Sequence, residues 1–367
     1  MGLQKILTSV VLVTGLALVG GAAFIGLKQA PADDAAEPDA AVAQIVETEL
    51  LVDPVEAEVP DPIDTANVEA VWRNWMAENN VTQSSLAIGR DGIILHSTGQ
   101  KRSPETAYAM ASLSKAATGM CLNQLLMQSP YSWDSTLADL APEFAKMNFT
   151  PAIKMADLTL TQIATHTSGL PEELKYGNVS TISINLNSQP RMAKAALKEP
   201  SNFGTRGSYV YSNANYAILG FLIEAMSGKP YGDYCRANIM VPAGATDAGV
   251  VGRMASTAGY GGWSVSVEDY ARFAMHWFAP KQPWMTAPED FAFDRSAQYG
   301  MGIQVNPTSG GAFVGHTGKW THTDRHKPNI GSLFFVRDDG TTVVANWDGS
   351  LDQSLYKQLH QALREAL

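Results

Sequence analysis

Cysteine is nearly absent: Cys121 and Cys235 are the only two in 367 residues, too few for the disulfide framework that staples small secreted domains. Both read as small core residues, and a bond between them stays open if the domain is exported. The chain has no glycine-rich phosphate loop, no metal-ligand spacing and no internal repeat, which argues against nucleotide-binding, metal-dependent and repeat architectures. Its net charge of −10 suggests a one-signed surface until it is placed. Residues 33–64 carry eleven acidic side chains and no basic one, and the chain from Thr65 onward is close to neutral. A near-neutral folded part offers nothing to nucleic acid or to a strongly charged partner. Residues 30–63 also lack glycine and every aromatic residue, so that stretch cannot bury much apolar area and reads as an extended, poorly ordered stalk.

Hydrophobic residues make up 45% of the chain, enough for a tail followed by one large or two smaller domains. Residues 6–27 are 22 positions without a charge, bounded by Lys5 and Lys28. As a helix they span roughly 33 Å, enough to cross a bilayer. The reading is an export segment, residues 1–29, whose length favours a retained membrane anchor over cleavage at Ala30-Pro31-Ala32. The rest of the chain then stands on the outer side of the membrane, or is secreted if the segment is cleaved.

From residue 64 onward the pattern is globular. Val68, Val71, Trp72 and Trp75 follow helical spacing behind Asp64 or Thr65 as cap. Residues 85–89 and 93–96 flank Asp91-Gly92, a hairpin signal. Helical patterns then dominate at residues 122–127, 158–165, 192–197 and 213–227, the last closed by Gly228. Strand patterns return at residues 299–305, 312–316, 330–336 and 341–346, and Leu351, Leu355, Leu359 and Leu363 form one stripe of a final docking helix. The expected fold is α+β: an antiparallel sheet assembled from both ends of the chain, residues 64–111 and 256–367, flanked by the terminal helices, with a mostly helical insertion at 112–255. A cleft between the two parts is the natural place for chemistry.

The stretch from Met110 to Gly119 holds Ser112 where an N-cap belongs, with Lys115 one turn later on the same face. A hydroxyl beside an amine is a candidate nucleophile, favoured further by the N–H groups of a helix entrance. Alone the pair is weak, because Ser354-x-x-Lys357 repeats it on a solvent-striped helix. Partners come later in the chain. Tyr211 precedes a helix, and a phenol whose pKa is lowered near a lysine can serve as base, while Asn213 offers a donor and an acceptor to a substrate amide. Tyr176-Gly177-Asn178 repeats that spacing in a loop. His316-Thr317-Gly318 ends a strand pattern, where Gly318 allows close backbone approach and the N–H of Lys319 can face an oxyanion.

In this order the three motifs resemble those of the serine β-lactamase and penicillin-binding protein family, in the branch of class C β-lactamases, D-alanyl-D-alanine peptidases and related esterases. Ser112-x-x-Lys115 matches the first motif, Tyr211-x-Asn213 the second, and His316-Thr317-Gly318 the third, where other members carry Lys-Thr-Gly. Thr165-His166-Thr167-Ser168-Gly169-Leu170-Pro171 and Tyr299-Gly300-Met301-Gly302 match as well. The resemblance implies an acyl-enzyme serine hydrolase acting on a small-molecule or peptide ester, amide or lactam, with no metal or cofactor. Ser112 would attack, Lys115 and Tyr211 would move the proton, and Asn213 and His316 would orient the acyl donor. The N–H groups of Ser112 and Lys319 would hold the oxyanion. A cell-wall peptidase or transpeptidase, and a catalytically silent binding protein of the same fold, are the rival readings. His166 reads as a loop brace, and His322 and His326 as part of a solvated surface.

Overall fold

Asp91 and Gly92 take the two positive-φ positions of a tight turn, at 54° and 79°, and so fold strand β1 (Ser84–Arg90) back on β2 (Ile93–Gln100). This computed structural model describes residues 62–172, 188–198, 203–279, 299–308, 311–321, 329–349 and 351–367. The export segment, the stalk up to residue 61, the Tyr176-Gly177-Asn178 loop and both His322 and His326 lie outside the described residues. No helix among the described residues is long and apolar enough to cross a membrane.

The fold is α+β. After the hairpin come β3 (Tyr108–Ala109) and β4 (Ser264–Val265), which form a separate two-stranded sheet. The later strands are β5 (Tyr299–Gly300), β6 (Ile303–Thr308), β7 (Gly311–Trp320), β8 (Ile330–Val336) and β9 (Thr342–Asp348). Seven strands form one antiparallel sheet in the order β2-β1-β9-β8-β7-β6-β5.

Alternation along the strands divides the core in two. One face carries Leu86, Ile88, Leu333, Phe335, Val343, Ala345 and Trp347, and packs on Val68, Trp72, Trp75 and Met76 of helix Thr65–Glu78 and on Tyr356, Leu359 and Leu363 of helix Gln353–Glu365. Each fully buried Val, Leu, Ile, Phe or Met side chain among them contributes roughly 1.5–3 kcal/mol of transfer free energy. The other face presents Ala87, Val314, Phe334, Val336 and Val344 to the larger core shared with helices Ser114–Leu126, Asn213–Ser227 and Val267–Phe278. The Asp64 carboxylate caps the first helix by accepting from the Asn67 N–H, and the Asn67 side chain donates to the Ala366 carbonyl at 3.0 Å, joining the two terminal helices.

Three expectations need correction. Ser112 is not a helix cap; it lies inside a single 3₁₀ turn, Ala111–Leu113, that runs into the helix with no side-chain cap. The run at 299–305 is not one strand, because Met301 and Gly302 turn the chain at φ 48° and 82°, where a Cβ on Gly302 would collide with the Lys115 carbonyl. β7 extends past residue 316 to Trp320, since β8 continues to pair with it. Cys121 and Cys235 are buried as expected of core residues, and the bond left open between them is present, linking helix Ser114–Leu126 to helix Tyr231–Cys235.

Candidate active site

The Ser112 turn is strained and tied down. Ala111 sits at φ 47°, a region costly for a residue with a Cβ. Three neighbours hold it there. The Met110 N–H donates to the Trp263 carbonyl at 2.9 Å, the Ser332 hydroxyl to the Met110 carbonyl at 2.8 Å, and the Tyr270 phenol to the Leu113 carbonyl at 2.9 Å. The turn therefore presents Ser112 from a fixed frame, and N–H groups that open such a turn have no partner within it.

Lys115 is fully buried one turn on. Its Nζ lies 3.0 Å from Ser112 Oγ, 2.8 Å from Asn213 Oδ1 and 2.9 Å from the Tyr260 carbonyl. Two of these three partners can only accept. A neutral amine has two N–H bonds for them and one lone pair left, which faces the Ser112 hydroxyl. Burial pushes the Lys115 pKa well below its ordinary 10.5, which favours that neutral form.

Ser212 caps helix Asn213–Ser227 by accepting from the Ala214 N–H, and Tyr211 and Asn213 flank it. Tyr211 hydrogen-bonds Ser112, and its ring centroid lies 4.9 Å from Lys115 Nζ. The lowered phenol pKa expected from the sequence is overturned. Burial holds the Tyr211 phenol well above its ordinary value, and the hydrogen bond with Ser112 opposes that only in part.

The third segment runs along β7. Because the Gly349 N–H donates to the Asn329 carbonyl at 2.8 Å, the odd-numbered residues of β8 bond to β9 and the even-numbered ones to β7. In β7 that assigns His316, Gly318 and Trp320 to β8, and turns the backbone groups of Thr317 and Lys319 to the other edge. β6 covers that edge only as far as Gly315, so it is open beyond that point. A Cβ on Gly318 would collide with Ser332 Oγ, which itself bonds the Met110 carbonyl, so this glycine lets β7 lie against the Ser112 turn. The Lys319 side chain is exposed and electrostatically coupled to Asp352, leaving its backbone as what it offers the site.

His316 Nδ1 lies 2.6 Å from the Thr317 carbonyl and Nε2 lies 2.9 Å from the Tyr299 hydroxyl. A carbonyl only accepts, so Nδ1 carries the proton and Nε2 accepts from the phenol. Burial first, and Lys115 second, push this imidazole down to about 3, against the Thr317 carbonyl, so it is neutral at physiological pH. Both nitrogens are engaged within the protein.

The structure thus gathers Ser112, Lys115, Tyr211 and Asn213 through direct contacts, brings His316 to a ring-centroid distance of 6.2 Å from Tyr211, and lays Thr317, Gly318 and Lys319 along the adjoining strand. The repeat pair Ser354 and Lys357 is exposed on the terminal helix, with Ser354 Oγ bonded to Asp352. Sequence reasoning missed the Tyr260 carbonyl, because any residue supplies a carbonyl, and placed Tyr299 in a matching stretch without reading its contact to His316. Among the described residues no group of three or more His, Cys, Asp or Glu side chains gathers as a metal site.

Comparison with known proteins bears on the family and the fold. A family model described as Beta-lactamase matches residues 68–357. A protein of Escherichia coli (strain K12), provisionally named D-alanyl-D-alanine carboxypeptidase, is 25% identical over 158 residues, covering 42% of this chain and 36% of the relative. The chain therefore spans about a third of that relative's length. EstCE1, a hydrolase with promiscuous acyltransferase activity, superposes with a TM-score of 0.64 at 16% identity, covering 82% of this chain and 97% of its own. The D-amino acid amidase from Ochrobactrum anthropi SV3 complexed with L-phenylalanine amide gives 0.61 at 16% identity, covering 82% and 97%. At such identities these structures establish the fold.

Proposed function

Because the chain belongs to the beta-lactamase family, and because a buried amine with two acceptor-only partners turns its lone pair to Ser112, we propose that it is a serine hydrolase forming an acyl-enzyme at Ser112. The Lys115 contact set is the observation that carries this reading. The neutral amine takes the Ser112 proton as Oγ attacks the acyl carbon. Tyr211, hydrogen-bonded to Ser112 and kept protonated by burial, relays a proton to the departing group. The Ser112 and Lys319 N–H groups receive the oxyanion, and Asn213, already held by Lys115, aligns the acyl donor. Water then releases the acyl group through the same residues in reverse.

The substrate is an ester, amide or lactam of a small molecule or peptide. The neutral His316 places no positive charge on its side of the site, which supports an uncharged acyl donor over a peptide ending in a free carboxylate. The proposed location is outside the cytoplasm, supported by the Cys121–Cys235 bond and by the apolar run at residues 6–27, the proposed anchor.

Labelling with a fluorophosphonate and with a fluorescent β-lactam tests this. Labelling by either reagent, lost in Ser112→Ala, is the expected result. No labelling by both would favour a silent binding protein.

A further inference from the structure

His166 has the marks of a residue retained at a cost to folding. It is fully buried, its backbone sits at φ 61°, and its Nε2 is buried without a hydrogen-bond partner. Its ring packs among Tyr209, Tyr216 and Tyr299, and three of its contacts fall on one further segment. The His166 carbonyl accepts from the Val210 N–H at 2.8 Å, its ring lies 4.4 Å from the Tyr211 ring, and its Nδ1 accepts from the Ser212 N–H at 3.1 Å. Three consecutive residues are thus each held by one histidine. A backbone N–H only donates, which fixes Nδ1 as acceptor and leaves the proton on the unpartnered Nε2. A second bond enforces that tautomer. Asn215 Nδ2 lies 2.9 Å from Nδ1, and Ser168 donates to Asn215 Oδ1 at 2.7 Å, so the Asn215 amide turns its N–H₂ toward the ring.

Resting on the reading that Ser112 is the nucleophile, we infer that His166 is a positioning residue whose Nδ1 and ring hold the Tyr211–Asn213 segment so that the phenol meets Ser112 and the Asn213 carboxamide meets Lys115. It touches neither Ser112 nor Lys115 through a hydrogen bond and acts through Tyr211. Nothing in this role calls for a charged ring, and burial keeps it neutral.

Two substitutions separate this role from backbone strain. Glycine and asparagine both tolerate a positive φ, but only asparagine puts an acceptor near the place of Nδ1. His166→Gly should slow fluorophosphonate acylation of Ser112 by about a hundredfold, as expected when a catalytic group shifts by about an ångström, while His166→Asn recovers most of the rate and both stay folded by thermal melting. Equal losses in the two variants, or an unimpaired His166→Gly, would overturn the inference. A crystal structure of His166→Gly decides it without any activity: Tyr211 should leave Ser112, and an unmoved phenol would refute the positioning role. An unlabelled wild-type protein would instead count against Ser112 as nucleophile.

Discussion

At Lys115, charge and proton acceptance make different demands, and substitution tells them apart. Lys115→Ala should lose acylation about as completely as Ser112→Ala, because the pair works as one unit. Lys115→Arg keeps a cation but never presents a lone pair, so it should fail as well in any variant that stays folded. An active Lys115→Arg protein would assign the side chain a purely electrostatic task. The pH profile follows from the same assignment. The reactive form is the neutral amine, so labelling should rise with pH on the acid side and level off well below 10.5, the ordinary lysine value from which burial has moved this group. A rate that climbs throughout the ordinary lysine range would contradict it. At Lys319 the proposed role belongs to the backbone N–H. Lys319→Ala should be mild, whereas Lys319→Pro removes an N–H turned to the open edge and should cost about 3 kcal/mol, a hundredfold or more in rate. Circular dichroism must confirm the fold, and normal acylation by a folded Lys319→Pro protein would move the oxyanion donor elsewhere.

Among the elements, the most legible were those whose local chemistry and tertiary role agree. The hairpin at Asp91-Gly92, strand β8 and helix Asn213–Ser227 were readable because turn residues, a continuous apolar run and a C-cap glycine each agree with the tertiary role. The motif residues of the candidate site were readable too, but not what sets their electrostatics. Tyr211 looked like a low-pKa phenol from its neighbours in sequence, and the surroundings that bury it come from distant segments, including Tyr299 and His166. The 3₁₀ turn at Ser112 was hidden for a similar reason: its geometry is imposed by Trp263, Tyr270 and Ser332, not by its own residues. The Cys121–Cys235 bond joins positions 114 apart, and two cysteines alone do not declare a pairing. Replacing both with alanine should destabilise the domain by about 2–5 kcal/mol, read as a lower melting temperature. Reduction of the wild-type protein should reproduce that shift, and an unchanged melting temperature would show the bond to be dispensable.

For the whole molecule, the acidic stretch has no core-forming pattern, so a chain beginning at residue 62, which keeps the Asp64 cap, should remain soluble and label as fast as the full-length protein. Loss of activity on that truncation would mean the stalk supports the domain. The position of β1 in the sheet has a further consequence. On one side it pairs with its hairpin partner, and on the other with β9, more than two hundred and fifty residues later. A ribosome releases the N-terminal hairpin long before the strand that completes it exists, and until then one edge of β1 offers its backbone to any extended chain nearby. Such long-range closure is slow. Completion of the sheet is thereby deferred until β9 has been made. A nascent protein stopped short of β9 would have no inner neighbour for β1, and would be a substrate for chaperones and proteases.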